Sequence, residues 1–418
     1  MKIAIATAVY YPMTNGVATF SHNLAVGLAR RGHDVMVLCP SQNGKNHTEV
    51  VDGVRTVFLK SIELPVYPDQ INPVPPKKKL FGKELPRMYY KNGIHVSATP
   101  GNEIKRALSR FRPDVIHCQA SDPVGLAAVR FAHRHNIPLV TTEHNLPDVI
   151  TDPLKLPKVV KKPVDAVLAA YFVGRQKKSD YVTMPTQLAI EDLIFKRKKN
   201  FKVPVEAVSN GVDLSSFKPG KAPAAIYERY HIPKGCPTAL YVGRVDPEKQ
   251  IGVVLKAFKK VLAKLPEAIL VVVGDGVDRA NLEKQAEKLA ITDSVYFLGR
   301  VMPPDLYELY KVGDLFVTAS EIETQGIVLI EAAATGLPLV AVDKGAVREV
   351  CQDGKNGELC VPKDVNGIAA GILKILRKPD VREAYSKKSL EIAKTHDINR
   401  TLERFEEIYQ EVLEKSIE

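Results

Sequence analysis

The stretch Ser320-Glu321-Ile322-Glu323-Thr324-Gln325-Gly326-Ile327-Val328-Leu329-Ile330-Glu331-Ala332 sets two carboxylates eight residues apart around a glycine. An apolar run follows, and Gly336-Leu337-Pro338 ends it. This pattern predicts a helix beginning near Gly326, with Glu323 in the loop before it and Glu331 about two turns inside. A helix start offers unpaired N–H groups and the positive end of the dipole to an anion. Carboxylates beside it could exchange protons or accept hydrogen bonds from hydroxyls. A second set lies in Tyr241-Val242-Gly243-Arg244-Val245-Asp246-Pro247-Glu248-Lys249. There Arg244 and Lys249 leave the carboxyl end of a predicted strand, Lys249 at the start of the next helix. Together they suit a diphosphate, each charge-assisted hydrogen bond being worth about 1.5–3 kcal/mol. An exposed pair at a turn would look the same. Gly16, in Asn15-Gly16-Val17-Ala18, precedes a predicted helix and would let a phosphate approach the backbone. No GxGxxG surrounds it, and a plain turn needs the same residue. Around Gly326 the arrangement offers two hydroxyl-binding carboxylates flanking an anion-binding helix N-terminus.

Such groups need strands that end where loops can converge. In the first half, strands are expected at Lys2 to Val9, Asp34 to Cys39, Val54 to Phe58, Asp114 to Cys118, Ile137 to Glu143, Asp180 to Met184 and Val205 to Ser209. Helices are expected at Val17 to Arg31, Asn102 to Phe111 and Asp122 to His135. After Asn210-Gly211-Val212-Asp213 a second series begins, with strands at Thr238 to Gly243, Ile269 to Gly274, Val295 to Leu298, Leu315 to Thr318 and Pro338 to Val342. Alternation of this kind predicts two doubly wound α/β domains, 1–205 and 206–395, with ligands at the carboxyl ends of the strands and the active site in the cleft the domains face. Apolar residues at Leu402, Phe405, Ile408, Tyr409, Val412 and Leu413 have helical spacing. They make 396–418 a C-terminal helix, expected to return to the first domain. The proline-rich stretch Leu64 to Pro86 reads as an irregular loop.

A chain of 418 residues with 45% hydrophobic and 26% charged residues has material for two cores and is not of disordered composition. The β-branched opening run is too short for a signal peptide, and no apolar run spans a bilayer. A cytoplasmic protein is expected, with no disulfide framework or structural zinc. Its cysteines, Cys39, Cys118, Cys236, Cys351 and Cys360, are an odd set without CxxC spacing. The net charge of +11 is regional, with +5 from Lys77 to Lys91 and +7 from Thr151 to Lys202. A face of this kind fits an anionic membrane or nucleic acid, or is simply solvated. Tryptophan is absent and no nucleic-acid-binding module is recognisable, so no nucleic-acid partner is expected.

Glu323 to Glu331 resembles the E-x7-E motif of retaining GT-B glycosyltransferases of family four. Gly243-Arg244 with Glu248-Lys249, Asn210-Gly211-Val212-Asp213, and Asp353-Gly354 with Asn356-Gly357 recur there at similar places. Asn15-Gly16-Val17 and Glu323-Thr324-Gln325-Gly326 are similar to the diacylglycerol glucosyltransferase and phosphatidylinositol mannosyltransferase type. The resemblance implies GT-B architecture and a nucleotide-sugar donor taken without metal or other cofactor. The chain has no Asp-x-Asp triplet. It implies that Glu331 holds the ribose, Glu323 the donor sugar, and Arg244 and Lys249 the diphosphate. Gly16, Gly326 and Ile327 would complete the phosphate pocket, Val301 would face the base, and Asn210 joins the donor set. His144 would lie near the reacting sugar, orienting it or stabilising the oxocarbenium-like centre. His117 is taken as structural. The family often has Tyr-His-Thr where this chain has Glu143-His144-Asn145.

Between Leu154 and Lys178, lysines alternate with Val159, Val160, Val164, Val167, Leu168, Tyr171 and Phe172. That mixture suits an anionic membrane surface, where each nearby lysine is worth about 1 kcal/mol. The sequence therefore points to a retaining hexosyltransferase, peripheral at the inner face of the cell membrane, that glycosylates a lipid such as diacylglycerol. A soluble transferase acting on a small sugar or thiol precursor, or a non-catalytic sugar-nucleotide binder, shares the same donor motifs.

Overall fold

Short β-branched runs flanked by amphipathic helices leave each strand apolar on both sides, and such strands are stable only between two helical layers. The computed structural model describes residues 1–11, 13, 15–64, 79–80, 83–84, 94–119, 122–144, 147, 151, 157–193 and 202–417. Among the residues discussed above, 65–78, 81–82, 85–91, Asn145, 152–156 and 194–201 lie outside these. The chain divides into two compact units, Met1–Asn210 with Asn399–Glu418, and Gly211–Ile398, against the divisions near 205 and 395 read from the sequence. The second unit closes on itself where Val212 bridges Asp397.

In the first unit, Lys2–Ala6 lies centrally, between Asp34–Pro40 and Val115–Cys118. Outward from Asp34–Pro40 come Val54–Leu59 and His47–Val51. Outward from Val115–Cys118 come Leu139–Thr142, Tyr181–Met184 and Val205–Ala207. All pairs are parallel except His47–Val51 with Val54–Leu59. His47–Val51 is not evident in the sequence because His47, Thr48 and Glu49 interrupt its apolar pattern. Within the stretch read as an irregular loop, Lys79–Leu80 and Lys83–Glu84 pair antiparallel. Local strand pairing there needs only a few residues and is not excluded by prolines outside them.

The helix Ile398–Ile417 belongs to this unit from Asn399 onward. It buries Leu402, Phe405, Ile408, Tyr409 and Val412. Gly27 makes room for it, since a Cβ there would come within 2.6 Å of Leu402 Cδ1. Arg404 Nη2 donates to Glu206 Oε2 at 2.8 Å and His33 pairs with Glu406 at 2.7 Å. The helix is thereby fixed at both its apolar and polar sides.

The second unit has a six-stranded parallel sheet in the order Val295–Gly299, Ile269–Val273, Thr238–Val242, Leu315–Val317, Leu339–Val342, Gly357–Cys360. This is the doubly wound 3-2-1-4-5-6 arrangement. Its switch point lies between Thr238–Val242 and Leu315–Val317, whose following loops run to opposite faces and leave a crevice. Both faces are sealed by apolar clusters, one around Phe258, Val272 and Ile372, the other around Leu240, Phe316 and Ile330.

Candidate functional site

The loops after Val242 and after Val317 carry the cations and carboxylates singled out in the sequence, and the switch point brings them together. Lys249 Nζ donates to Glu323 Oε1 at 2.7 Å and lies 3.5 Å from Ser320 Oγ. Lys249 ends the 3-10 turn Pro247–Lys249, and the helix proper starts at Ile251 after Gln250 in a left-handed conformation. The Arg244 guanidinium is ion-paired with Asp246 and Glu248. These groups neutralise one another.

Two glycines allow this crossing of loops. Gly274 has φ +136°, and a Cβ on it would stand 1.8 Å from the Gly243 carbonyl oxygen. The loops after Thr238–Val242 and Ile269–Val273 are then stitched by Gly243 N–H to Val273 O at 3.0 Å and Val245 N–H to Asp275 O at 3.0 Å. Any larger residue at 274 would push them apart.

Gly326, at φ +76°, caps the helix Ile327–Ala334. The helix starts at Ile327, beside the expected Gly326, so Glu331 is its fifth residue, little more than one turn in rather than two. Glu323 stands in the loop before it. Glu331 accepts a hydrogen bond from the buried Tyr310 hydroxyl, which ends the helix Asp305–Tyr310. The protein crowding its half-buried carboxyl raises its pKa to about 7, with the Tyr310 bond acting the other way. Ile327 is half-buried at the helix start, and Val301 packs on the apolar cluster just after Gly299.

The remaining recurrent motifs serve the backbone. Asp213 Oδ1 accepts from Ser215 N–H at 2.9 Å. Asn356 is fully buried, accepts from Gln352 N–H at 2.7 Å and donates to Val350 O at 3.0 Å. A Cβ at Gly357 would lie 2.2 Å from Leu339 O.

In the first unit the switch point lies beside Lys2–Ala6 and Val115–Cys118. Gly16 opens the helix Gly16–Arg30 there, capped by Asn15 Oδ1, which accepts from Ala18 N–H at 2.9 Å. His144, two residues past Leu139–Thr142, is buried against the edge of Phe20 at 5.1 Å. Its Nε2 lies 2.8 Å from Gln119 Oε1. Burial lowers its pKa to about 3, so the ring is neutral at ordinary pH. His117 lies behind, with Nδ1 2.7 Å from the Tyr409 hydroxyl and Nε2 2.7 Å from Thr142 Oγ1. Burial, and to a lesser degree His144, lowers its pKa to about 3 as well. Asn210 is buried where the chain leaves this unit.

The sequence did not single out Gln119, Ser320, Tyr310, Asp246 or Glu248 for these contacts. Glu248 and Asp246 were within reach of reasoning, being four and two residues from Arg244. Gln119 and Tyr310 meet their partners only through the tertiary fold. Among the described residues no three His, Cys, Asp or Glu are placed to hold a metal ion, and no helix is long and apolar enough to cross a membrane. All five cysteines are free thiols.

Two doubly wound units, one with cations and carboxylates gathered at its switch point, place the chain among the two-domain α/β proteins. Residues 14–216 match the family model described as Glycosyltransferase Family 4, and residues 225–391 match Glycosyl transferases group 1. The chain belongs to these group 1 glycosyltransferases and has GT-B architecture. It is similar to an alpha-monoglucosyldiacylglycerol synthase of Streptococcus pneumoniae, 27% identical over 94% of this chain and 82% of that one. It is also similar to a glycogen synthase of Mycobacterium tuberculosis, 26% identical over 91% of this chain and 87% of that one. The fold matches that of a sucrose-phosphate synthase of Thermosynechococcus elongatus with a TM-score of 0.75, 20% identity and coverage of 99% and 100%. The protein is therefore an enzyme that transfers glycosyl groups.

Proposed function

We propose that the protein moves a hexose, glucose or mannose, from a nucleotide sugar to a hydroxyl of a membrane lipid such as diacylglycerol, with retention of configuration. The observation that carries the donor half is the Lys249–Glu323 pair at the switch point. It joins a diphosphate-binding cation to a hydroxyl-binding carboxylate just before the glycine-capped helix that carries Glu331. In this reading Glu331 holds the ribose, Val301 borders the base, and the N–H groups at Gly326 and Ile327 add to Arg244 and Lys249 around the diphosphate. Gly16 and Asn210 rest on the resemblance. Negative charge grows on the leaving diphosphate in the transition state, where fixed cations are worth most. No metal is needed for that role. His144, neutral at ordinary pH, orients the sugar by hydrogen bonding and is not the nucleophile.

The lipid acceptor is supported by the helix Lys158–Gln176. It exposes Val159, Val160, Val167 and Tyr171 beside lysines, which suits the anionic inner face of a membrane. The likeness to a monoglucosyldiacylglycerol synthase favours the same acceptor class. A second reading, a small sugar or glucan acceptor in solution, is favoured by the likeness to glycogen synthase at nearly equal identity. Sedimentation with vesicles of phosphatidylglycerol at low salt separates the two. Binding that salt removes supports the membrane reading, and no binding leaves the soluble acceptor.

A further inference from the structure

The first unit buries four polar side chains in one continuous contact path, Tyr409, His117, Gln119 and His144. The path's chemistry can be followed atom by atom. The Tyr409 phenol is buried and stays protonated, since burial pushes its pKa well up. Its hydroxyl lies 2.7 Å from His117 Nδ1, and the Thr142 hydroxyl lies 2.7 Å from His117 Nε2 and from Thr183 Oγ1. Each hydroxyl can donate or accept, so either neutral tautomer of His117 satisfies both ring nitrogens.

Both ring nitrogens of His117 are thus occupied in their plane. Gln119 Nε2 nevertheless lies 3.3 Å from Nδ1 and 3.1 Å from Nε2, a position over the ring rather than at its edge. An amide N–H is attracted to the negative face of an aromatic ring, whereas an amide oxygen is repelled by it. This decides the orientation of the Gln119 amide. Its nitrogen faces His117 and its Oε1 faces His144, where at 2.8 Å it can only accept.

We infer that Gln119, braced by His117 and by Tyr409 of the C-terminal helix, is a positioning residue that holds His144 as the Nε2–H tautomer. The lone pair is then on Nδ1, so His144 meets a substrate hydroxyl as an acceptor. The C-terminal helix contributes to the site without reaching it. Phe405 of the same helix packs at 5.0 Å on His117 and at 5.9 Å on Phe20, which itself meets His144. The inference rests on the active-site reading of His144 only for its catalytic consequence, because the tautomer is measurable by itself.

The test is long-range proton–nitrogen NMR on the full chain labelled with 15N-histidine, the His144 signals being assigned from His144→Ala. The wild type is expected to show Nε2–H at His144. Gln119→Leu is expected to give mixed tautomers and, with whichever of UDP-glucose and GDP-mannose the wild type hydrolyses faster, a loss in kcat of about tenfold with little change in KM. Gln119→Glu keeps an acceptor and so keeps the tautomer, while its charge raises the imidazole pKa and moves the acid limb of the pH profile upward. Tyr409→Phe, which preserves shape, is expected to reproduce the Gln119→Leu spectrum in weaker form. An Nδ1–H tautomer in the wild type, or an unchanged tautomer in folded Gln119→Leu, would overturn the inference. Full activity in His144→Ala would instead sink the catalytic reading of His144 and leave the tautomer result standing.

Discussion

The two switch points are built on one topological plan and filled with opposite chemistry. In the second unit Arg244, Asp246, Glu248, Lys249 and Glu323 are ionic and partly accessible, and each cation has a carboxylate partner. In the first unit Tyr409, His117, Gln119 and His144 are neutral, buried and joined through fixed hydrogen bonds. The difference suits the proposed division of work between them. A charged ligand is bound by exchanging ion pairs, which requires groups that water can reach and release. A sugar is oriented by hydrogen bonds of fixed direction, which requires groups that cannot turn.

The contrast breaks most visibly at the cations. Arg244→Ala or Lys249→Ala is expected to lower kcat/KM by about a hundredfold or more while leaving the thermal midpoint nearly unchanged. Steady-state kinetics beside a melting curve checks both halves, and equal losses in stability and activity would mean the pairs are structural. Gly274→Ala is the matching test of the loop crossing. With a Cβ 1.8 Å from the Gly243 carbonyl, it is expected to cost about 2 kcal/mol or more and to weaken nucleotide binding, read by denaturant unfolding and by titration with UDP and GDP.

Titration sharpens the comparison further. His117 and His144, each with a pKa of about 3, stay neutral across the working range, so neither contributes pH dependence between pH 5 and 8. Glu331, at about 7, does. Its folded pKa lies above the unfolded value, so the folded state holds the proton more tightly. Its contribution to stability is greatest below the unfolded pKa near 4.5 and is lost as pH rises towards 7, on the order of 3 kcal/mol. Glu331→Gln is expected to flatten that dependence in urea unfolding at pH 5 and 8. It is also expected to remove an apparent pKa near 7 from the kcat/KM profile. A profile identical to the wild type would show that Glu331 does not titrate in the free enzyme. The smallest effect concerns Asn356. Asn356→Ala is expected to cost about 1–3 kcal/mol in denaturant unfolding without altering kcat, because its bonds to Gln352 and Val350 hold a turn.

The sequence exposed what local pattern carries. Apart from Gly357–Cys360, which was not expected, most strands of both sheets, the glycine before Ile327–Ala334 and the loop position of Glu323 follow from apolar runs and turn residues. The edge strand His47–Val51 does not, since an edge with one solvated face needs no apolar alternation. The helix begins within a residue of the expected Gly326, and Glu331, its fifth residue, lies little more than one turn in because 3.6 residues make a turn. Gln119 and Tyr409 stand 290 residues apart around His117, a meeting that only the return of the terminal helix creates.

The most direct test of the donor assignment is transfer itself. The wild type and Lys249→Ala are incubated with UDP-glucose and GDP-mannose, each labelled in the sugar, together with total lipid extract, and label is counted in the organic phase. The wild type is expected to move label from one donor into lipid, and Lys249→Ala to lose about a hundredfold in rate. Transfer by Lys249→Ala at the wild-type rate would contradict the placement of the donor diphosphate at the Lys249–Glu323 pair.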